Sequence, residues 1–207
     1  MKLNIGNTRL PEIILAVGML VFSVWYNLKL YRLEPTVKVD PNDNTFQFAL
    51  VERANTVWTF AQNTCPGGLT HIPCVTGYLI DHWVPNWAQG YNLPFYYSHV
   101  PQIVIVGSWR LLSGIIGNPS LFQWYHLIAY LLLCFFPVSV FFGLKAARFS
   151  WLIAGIGAVL ATHISTDGLY GLDPPSFLWR GYGLSSQLFS MIWLPLAIGF
   201  IYRFFSH

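Results

Sequence analysis

LFQWYHLIAYLLLCFFPVSVFF, Leu121–Phe142, contains no Lys, Arg, Asp or Glu, and the charge-free stretch around it extends from 111 to 144. A helix that crosses a bilayer needs about 20 consecutive apolar residues. This segment meets that length on its own, and a helix that is apolar all round belongs in a membrane or a deep core. Working outward, three further stretches lack the same charges, at 13–28, 149–166 and 181–202. Four spans are therefore expected, at about 10–28, 121–142, 149–163 and 184–202. The fold class is all-α: a polytopic membrane protein whose residues 1–207 form a single integral membrane domain.

Composition points the same way. The chain has 207 residues, 55% hydrophobic, 17% aromatic and 9% charged, whereas soluble domains carry about 25% charged residues. A soluble fold is excluded, as is a disordered chain, which needs low hydrophobicity and high charge. A net charge of +3 spread over this sequence makes no basic patch, which excludes a nucleic-acid binder.

Lys2 and Arg9 ahead of the first apolar stretch raise the question of a signal peptide. The run Ile13–Tyr26 has no small-residue cleavage site and ends in Val24-Trp25-Tyr26 and Lys29, the pattern of an interfacial anchor on a retained helix. A fifth apolar stretch, Val100–Gly117, holds Arg110 near its middle, with Gln102, Ser108 and Ser113 largely on one face. A charge at mid-bilayer costs about 3 kcal/mol on insertion scales, so this stretch is expected to lie in the interface. Laid flat, it leaves Lys2, Arg9, Lys145, Arg148 and Arg203 on one side, as the positive-inside rule demands. Both termini are then cytoplasmic, and the external loops run over 29–117 and 163–183.

The first loop holds most of the polar and special residues. After Val39-Asp40-Pro41-Asn42-Asp43-Asn44, the residues Phe46, Leu50, Ala54, Val57, Trp58 and Ala61 recur at helical spacing, with Glu52, Asn55, Thr59 and Gln62 opposite. This predicts an amphipathic surface helix, with Asp40 as N-cap, Pro41 at its first position and Asp43 in its first turn. Next come Cys65 and Cys74 in a turn-rich segment. A disulfide is the favoured reading in an oxidising exterior, free thiols the alternative, and a metal site with His71 the weakest because no CxxC pair exists. Cys134, inside a span, is expected to be reduced.

From Asp81 to Pro101 the chain is nearly uncharged and crowded with aromatics, Pro and Asn. Trp and Tyr gather at membrane interfaces in any case. The regular turn residues with interleaved Asn, Gln and His point further, to a pocket rim that hydrogen-bonds and stacks a polar ligand such as a sugar, with Trp87, Tyr91, Tyr96, Tyr97 and His99 as its candidates.

An acidic pair after the first span, a surface helix, Val84-Pro85-Asn86-Trp87 leading to Gly90-Tyr91-Asn92-Leu93-Pro94-Phe95-Tyr96-Tyr97, and Val100-Pro101-Gln102 resemble the N-terminal part of GT-C superfamily membrane glycosyltransferases. The bacterial 6-pyruvoyl-tetrahydropterin synthase-related membrane proteins are the most similar group. Their Tyr-x-Pro-Pro-Leu stands here as His99-Val100-Pro101-Gln102, and Phe177–Phe189 with Pro195 is similar to the loop and span after their third helix. The resemblance implies sugar transfer from a polyprenyl-phosphate donor at the outer face of a bacterial-type cytoplasmic membrane. It also implies an acidic residue early in the first external loop, acting as general base or helping to hold a divalent metal ion. Asp40 and Asp43 match that position. Asp43 is the favoured base and the metal candidate, since it projects from the start of the surface helix while Asp40 caps it.

Arg110 and Arg180 are candidates for a phosphate of lipid or donor, with headgroup contact the plainer reading for Arg110. His163, Asp167 and Asp173 read as solvated loop. His126, about a turn inside the second span, reads as a hydrogen-bonded interface histidine rather than a ligand. A quinone-linked thiol oxidase lacks its CxxC, and a haem protein lacks paired histidines at matching depth. The second function class is a non-catalytic membrane subunit or scaffold. GT-C enzymes have more spans than four, so the chain is also expected to be the N-terminal part of a larger domain.

Overall fold

The structure is a computed structural model that describes residues 9–36, 38, 43–80, 83–85, 90–92, 99–162 and 185–206. These residues are mostly helical: α1 Arg9–Leu30, α2 Asp43–Thr64, α3 Ile72–Ile80, α4 Val100–Leu112, α5 Leu121–Ala146, α6 Trp151–Ala161 and α7 Ser185–Phe205. A two-residue ladder, β1 Trp83–Val84 with β2 Tyr91–Asn92, is antiparallel and pairs Val84 with Tyr91.

Three helical stretches among the described residues are long and apolar enough to cross a membrane: Leu10–Thr36, Leu121–Ala146 and Leu188–Phe205. The helix α6 is shorter, and so is α4, whose 13 residues rise only about 20 Å against about 30 Å of hydrocarbon. The charge at Arg110 and the helix length thus agree that α4 is no ordinary span.

Contacts fix the relative directions of the bundle helices. At one end, Ala16 of α1 packs with Phe141 of α5 and Ala154 and Ala158 of α6, and the Glu12 carboxylate accepts from the Leu152 N–H at 3.0 Å. That carboxylate meets the positive end of the α6 dipole. At the other end, the Asn27 amide donates to the Leu133 carbonyl at 3.0 Å, the Tyr130 hydroxyl donates to the Leu28 carbonyl, and Tyr31 packs with Ala129, Leu133 and Leu188. So α1 and α6 run one way and α5 and α7 the other, and the ends of the described chain, Arg9 and Ser206, lie at the same end of the bundle.

Small residues set the closest approaches. A Cβ on Gly143 of α5 would strike the Pro195 backbone of α7, and a Cβ on Gly199 would strike Gly143. Without a hydrophobic drive in lipid, such backbone approach is what holds helices together. Ser139 adds a hydroxyl bond to the Ile192 carbonyl. Between α5 and α6 the chain turns at Arg148, whose φ is +68°, and Ser150 caps α6 by accepting from the Ile153 N–H. At its start α5 has a reciprocal cap between Ser120 and Gln123.

The opposite end carries α2, α3, α4 and the ladder. Leu50, Ala54, Val57 and Ala61 are buried along α2 and Phe46 and Trp58 half-buried, the face predicted from spacing. That face rests on protein rather than lipid alone: Val51 and Ala54 join Ile105 and Val106 of α4 and Trp124 and Tyr125 of α5 in one cluster. Gln47, also fully buried, breaks the simple amphipathic pattern. Cys65 and Cys74 form a disulfide that joins the end of α2 to α3 over a packed cluster of Val57, Ala61, Val75 and Leu79. Both sulfurs are consumed, so a metal site of Cys65, Cys74 and His71 is ruled out. Cys134 is a free, buried thiol, as expected.

Candidate functional site

The candidate site occupies the loop end of the bundle, where α2, α4, the ladder and the first turns of α5 meet. Asp43 is the first residue of α2 as described; Asp40 and Pro41, expected to open that helix, lie outside the described residues. One turn beyond Asp43, Phe46 packs with Leu50 of the same helix on the buried Val84 of β1. Val84 pairs with Tyr91 of β2. The acid-bearing end of α2 is thereby tied to the strand in which the aromatic run continues. Trp87, Tyr96, Tyr97 and Arg180 lie outside the described residues, as do His163, Asp167 and Asp173.

The structure turns Arg110 inward. Its Nε and Nη2 donate to Asn55 Oδ1 at 2.9 and 2.7 Å, Nη2 also reaches the Asn55 carbonyl at 3.2 Å and Thr59 Oγ1 at 2.6 Å, and Nη1 reaches Gln62 Oε1 at 3.5 Å. The guanidinium lies 5.7 Å from the Trp58 ring centroid. These acceptors sit at positions i, i+4 and i+7 of the polar stripe of α2, which is why one planar fork can address all three. Partial burial pulls the Arg110 pKa down from its ordinary value, and every oxygen it meets is neutral. The expectation of a lipid-facing polar face on α4 is corrected accordingly. Gln102 is buried, and Ser108 accepts from the indole N–H of Trp124 at 2.9 Å. The polar side of α4 is a protein contact.

His99 is buried, and its Nε2 lies 2.5 Å from the Ile80 carbonyl, so it ties the end of α3 to the start of α4. That contact accounts for the histidine structurally. Among the described residues no group of three or more His, Cys, Asp and Glu is placed to hold a metal ion.

Sequence reasoning missed one pair. Glu34, in a single 3-10 turn after α1, and His126 of α5 are both buried, with Oε1 and Nδ1 2.6 Å apart. Phe122 and Tyr125 set their rings edge-on to the imidazole. His126 was expected to be hydrogen-bonded at this boundary; its partner was not foreseen. The available signal was depth: an acid just past the outer end of one apolar run and a histidine one turn into an antiparallel one must lie at the same level.

No protein family, curated protein or solved structure matches the chain.

Proposed function

We propose that the chain is part of a membrane glycosyltransferase of the GT-C type, transferring a sugar from a polyprenyl-phosphate donor at the outer face of a bacterial-type cytoplasmic membrane. The observation that carries this reading is the link from Asp43 through Phe46 and Val84 to Tyr91, which joins an acid to the stretch whose composition suits sugar stacking. In this reading Asp43 takes the proton of the acceptor hydroxyl as that oxygen attacks the anomeric carbon and the bond from that carbon to the polyprenyl phosphate breaks, the phosphate leaving with the electron pair; a divalent cation, if held near Asp43, would offset the phosphate charge. The helix α6 serves as a short fourth span, and both termini are cytoplasmic. The positive-inside rule supports that orientation through Arg9, Lys145, Arg148 and Arg203, which gather at one end of the bundle.

The test is transfer of labelled sugar from a polyprenyl-phosphate donor in membranes containing the chain. Asp43→Asn is expected to abolish transfer with normal membrane insertion. Full activity in that variant refutes the assignment. The non-catalytic subunit reading is favoured by the one cation of α4 being spent on helix packing; under it, no donor supports transfer, and the chain co-purifies with a partner instead.

A further inference from the structure

The end of α1 carries an amphipathic niche that the proposed reaction does not use. A cavity of about 520 Å³ is lined by Trp25, Tyr26, Lys29, Leu30, Arg32 and Leu33. Along the helix axis these residues are ordered by depth. Arg9 to Lys29 is a rise of about 30 Å at 1.5 Å per residue, the thickness of the hydrocarbon core, so Lys29 and Arg32 stand at headgroup level. Trp25 and Tyr26 lie one turn deeper, where amphipathic rings collect. Trp25 and Leu33 are each about half exposed.

The charge balance of this niche is what singles it out. Lys29 and Arg32 are exposed, and among the described residues neither makes a hydrogen bond or an ion pair. Glu34, the acid nearest in sequence, is turned away from them and consumed by His126. Two cations three residues apart thus stand exposed beside Trp25, Leu30 and Leu33, with no acid among the described residues paired to them. Snorkelling alone explains one such residue at a helix end; it does not explain a pair that meets no acid among the described residues and lines one pocket with Trp25 and Leu30. The complement of cations above and apolar walls below is an anion joined to hydrocarbon chains.

We propose that this niche binds an anionic glycerophospholipid of the surrounding bilayer, its phosphate held by Lys29 and Arg32 and an acyl chain lying along Trp25 and Leu30. The proposal is independent of the glycosyltransferase reading and holds for either orientation of α1, since both leaflets present phosphate at this depth.

The experiment uses the full chain in detergent, titrated with phosphatidylglycerol or phosphatidylcholine of matched chains and read by native mass spectrometry. Wild type is expected to retain phosphatidylglycerol selectively, and K29Q/R32Q to lose that selectivity by about 30-fold, the factor that two cations contribute at an anionic surface. R203Q, at the other end of the bundle, is expected to keep it. Raising the salt from 50 to 500 mM should weaken the wild-type preference, a readout that needs no variant. Equal binding of the two lipids, or selectivity unchanged in the double variant, overturns the proposal. Displacement by 10 mM inorganic phosphate marks a free-anion site and overturns it as well, as does a preference for polyprenyl phosphate over phosphatidylglycerol, which assigns the niche to a donor.

Discussion

Removing the imidazole from the Glu34–His126 pair leaves a carboxylate buried at the loop end of the bundle. The two side chains are 1% and 4% exposed, with Nδ1 and Oε1 2.6 Å apart. Breaking such a pair from one side costs about 3–5 kcal/mol, because the remaining charge keeps its desolvation without its partner. Replacing both members by apolar groups of similar volume costs far less. The expected order for H126A, E34Q and E34L/H126F is therefore unusual: H126A is the least stable and the double variant approaches wild type. For a chain of this size 1 kcal/mol shifts Tm by about 2–4 °C, so H126A should melt about 6–20 °C lower. Thermal denaturation in detergent, followed by a thiol-reactive dye on the buried Cys134, measures it. In the cycle of H126A, E34Q and E34Q/H126A a coupling energy above about 2 kcal/mol is the expected result. If the single effects add to within about 0.5 kcal/mol, the pair contributes no specific energy and the reasoning fails.

Two further predictions test the helix contacts. Arg110→Lys should destabilise the α2–α4 packing by about 1–2 kcal/mol and fail to rescue Arg110→Ala, because an ammonium cannot address Asn55, Thr59 and the Trp58 face with one rigid fork; thermal melts of both variants check this. Gly143→Ala should cost about 1–3 kcal/mol or more by driving a methyl into the Pro195 backbone, whereas Gly18→Ala, with nothing within 4 Å, should be neutral or slightly stabilising; the contrast is read in the same melts.

Three of the four expected spans, at 10–28, 121–142 and 184–202, correspond to helices long and apolar enough to cross a membrane, because the bilayer imposes a length and forbids charge and both are visible in one dimension. The fourth, 149–163, corresponds to the shorter α6. The ends of α1 and α5 ran past their expected limits, to Leu30 and Ala146, since Lys29 and Lys145 sit inside the last helical turns with their charges at the surface. The buried face of α2 followed from its period. Its partner did not, because Asn55, Thr59 and Gln62 look the same in sequence whether they face water or a guanidinium. The same blindness applies to Arg110, whose charge and place on a polar helix face read as a contact with lipid or donor phosphate. Glu34 was passed over because Leu33-Glu34-Pro35 looks like ordinary loop, and only the pairing of α1 with α5 shows what stands opposite.

Each polar decision at the loop end constrains the next. A buried carboxylate must have a partner, and His126 supplies it, which removes Glu34 from the set of anions available to Lys29 and Arg32. Arg110 is satisfied by three neutral side chains of α2 and is not paired with Glu52 of the same helix face. Glu52 stays exposed on α2. Among the described residues Glu12 and Glu34 are committed and Glu52 is set apart, and the two basic sites are answered differently, one by protein oxygens and the other by no described oxygen. A cation pair at headgroup depth that no described residue answers is open to a membrane phosphate, whereas Arg110, already answered, is not. That distinction is why lipid selectivity should follow Lys29 and Arg32 and be indifferent to Arg110, although composition alone ranks all three alike.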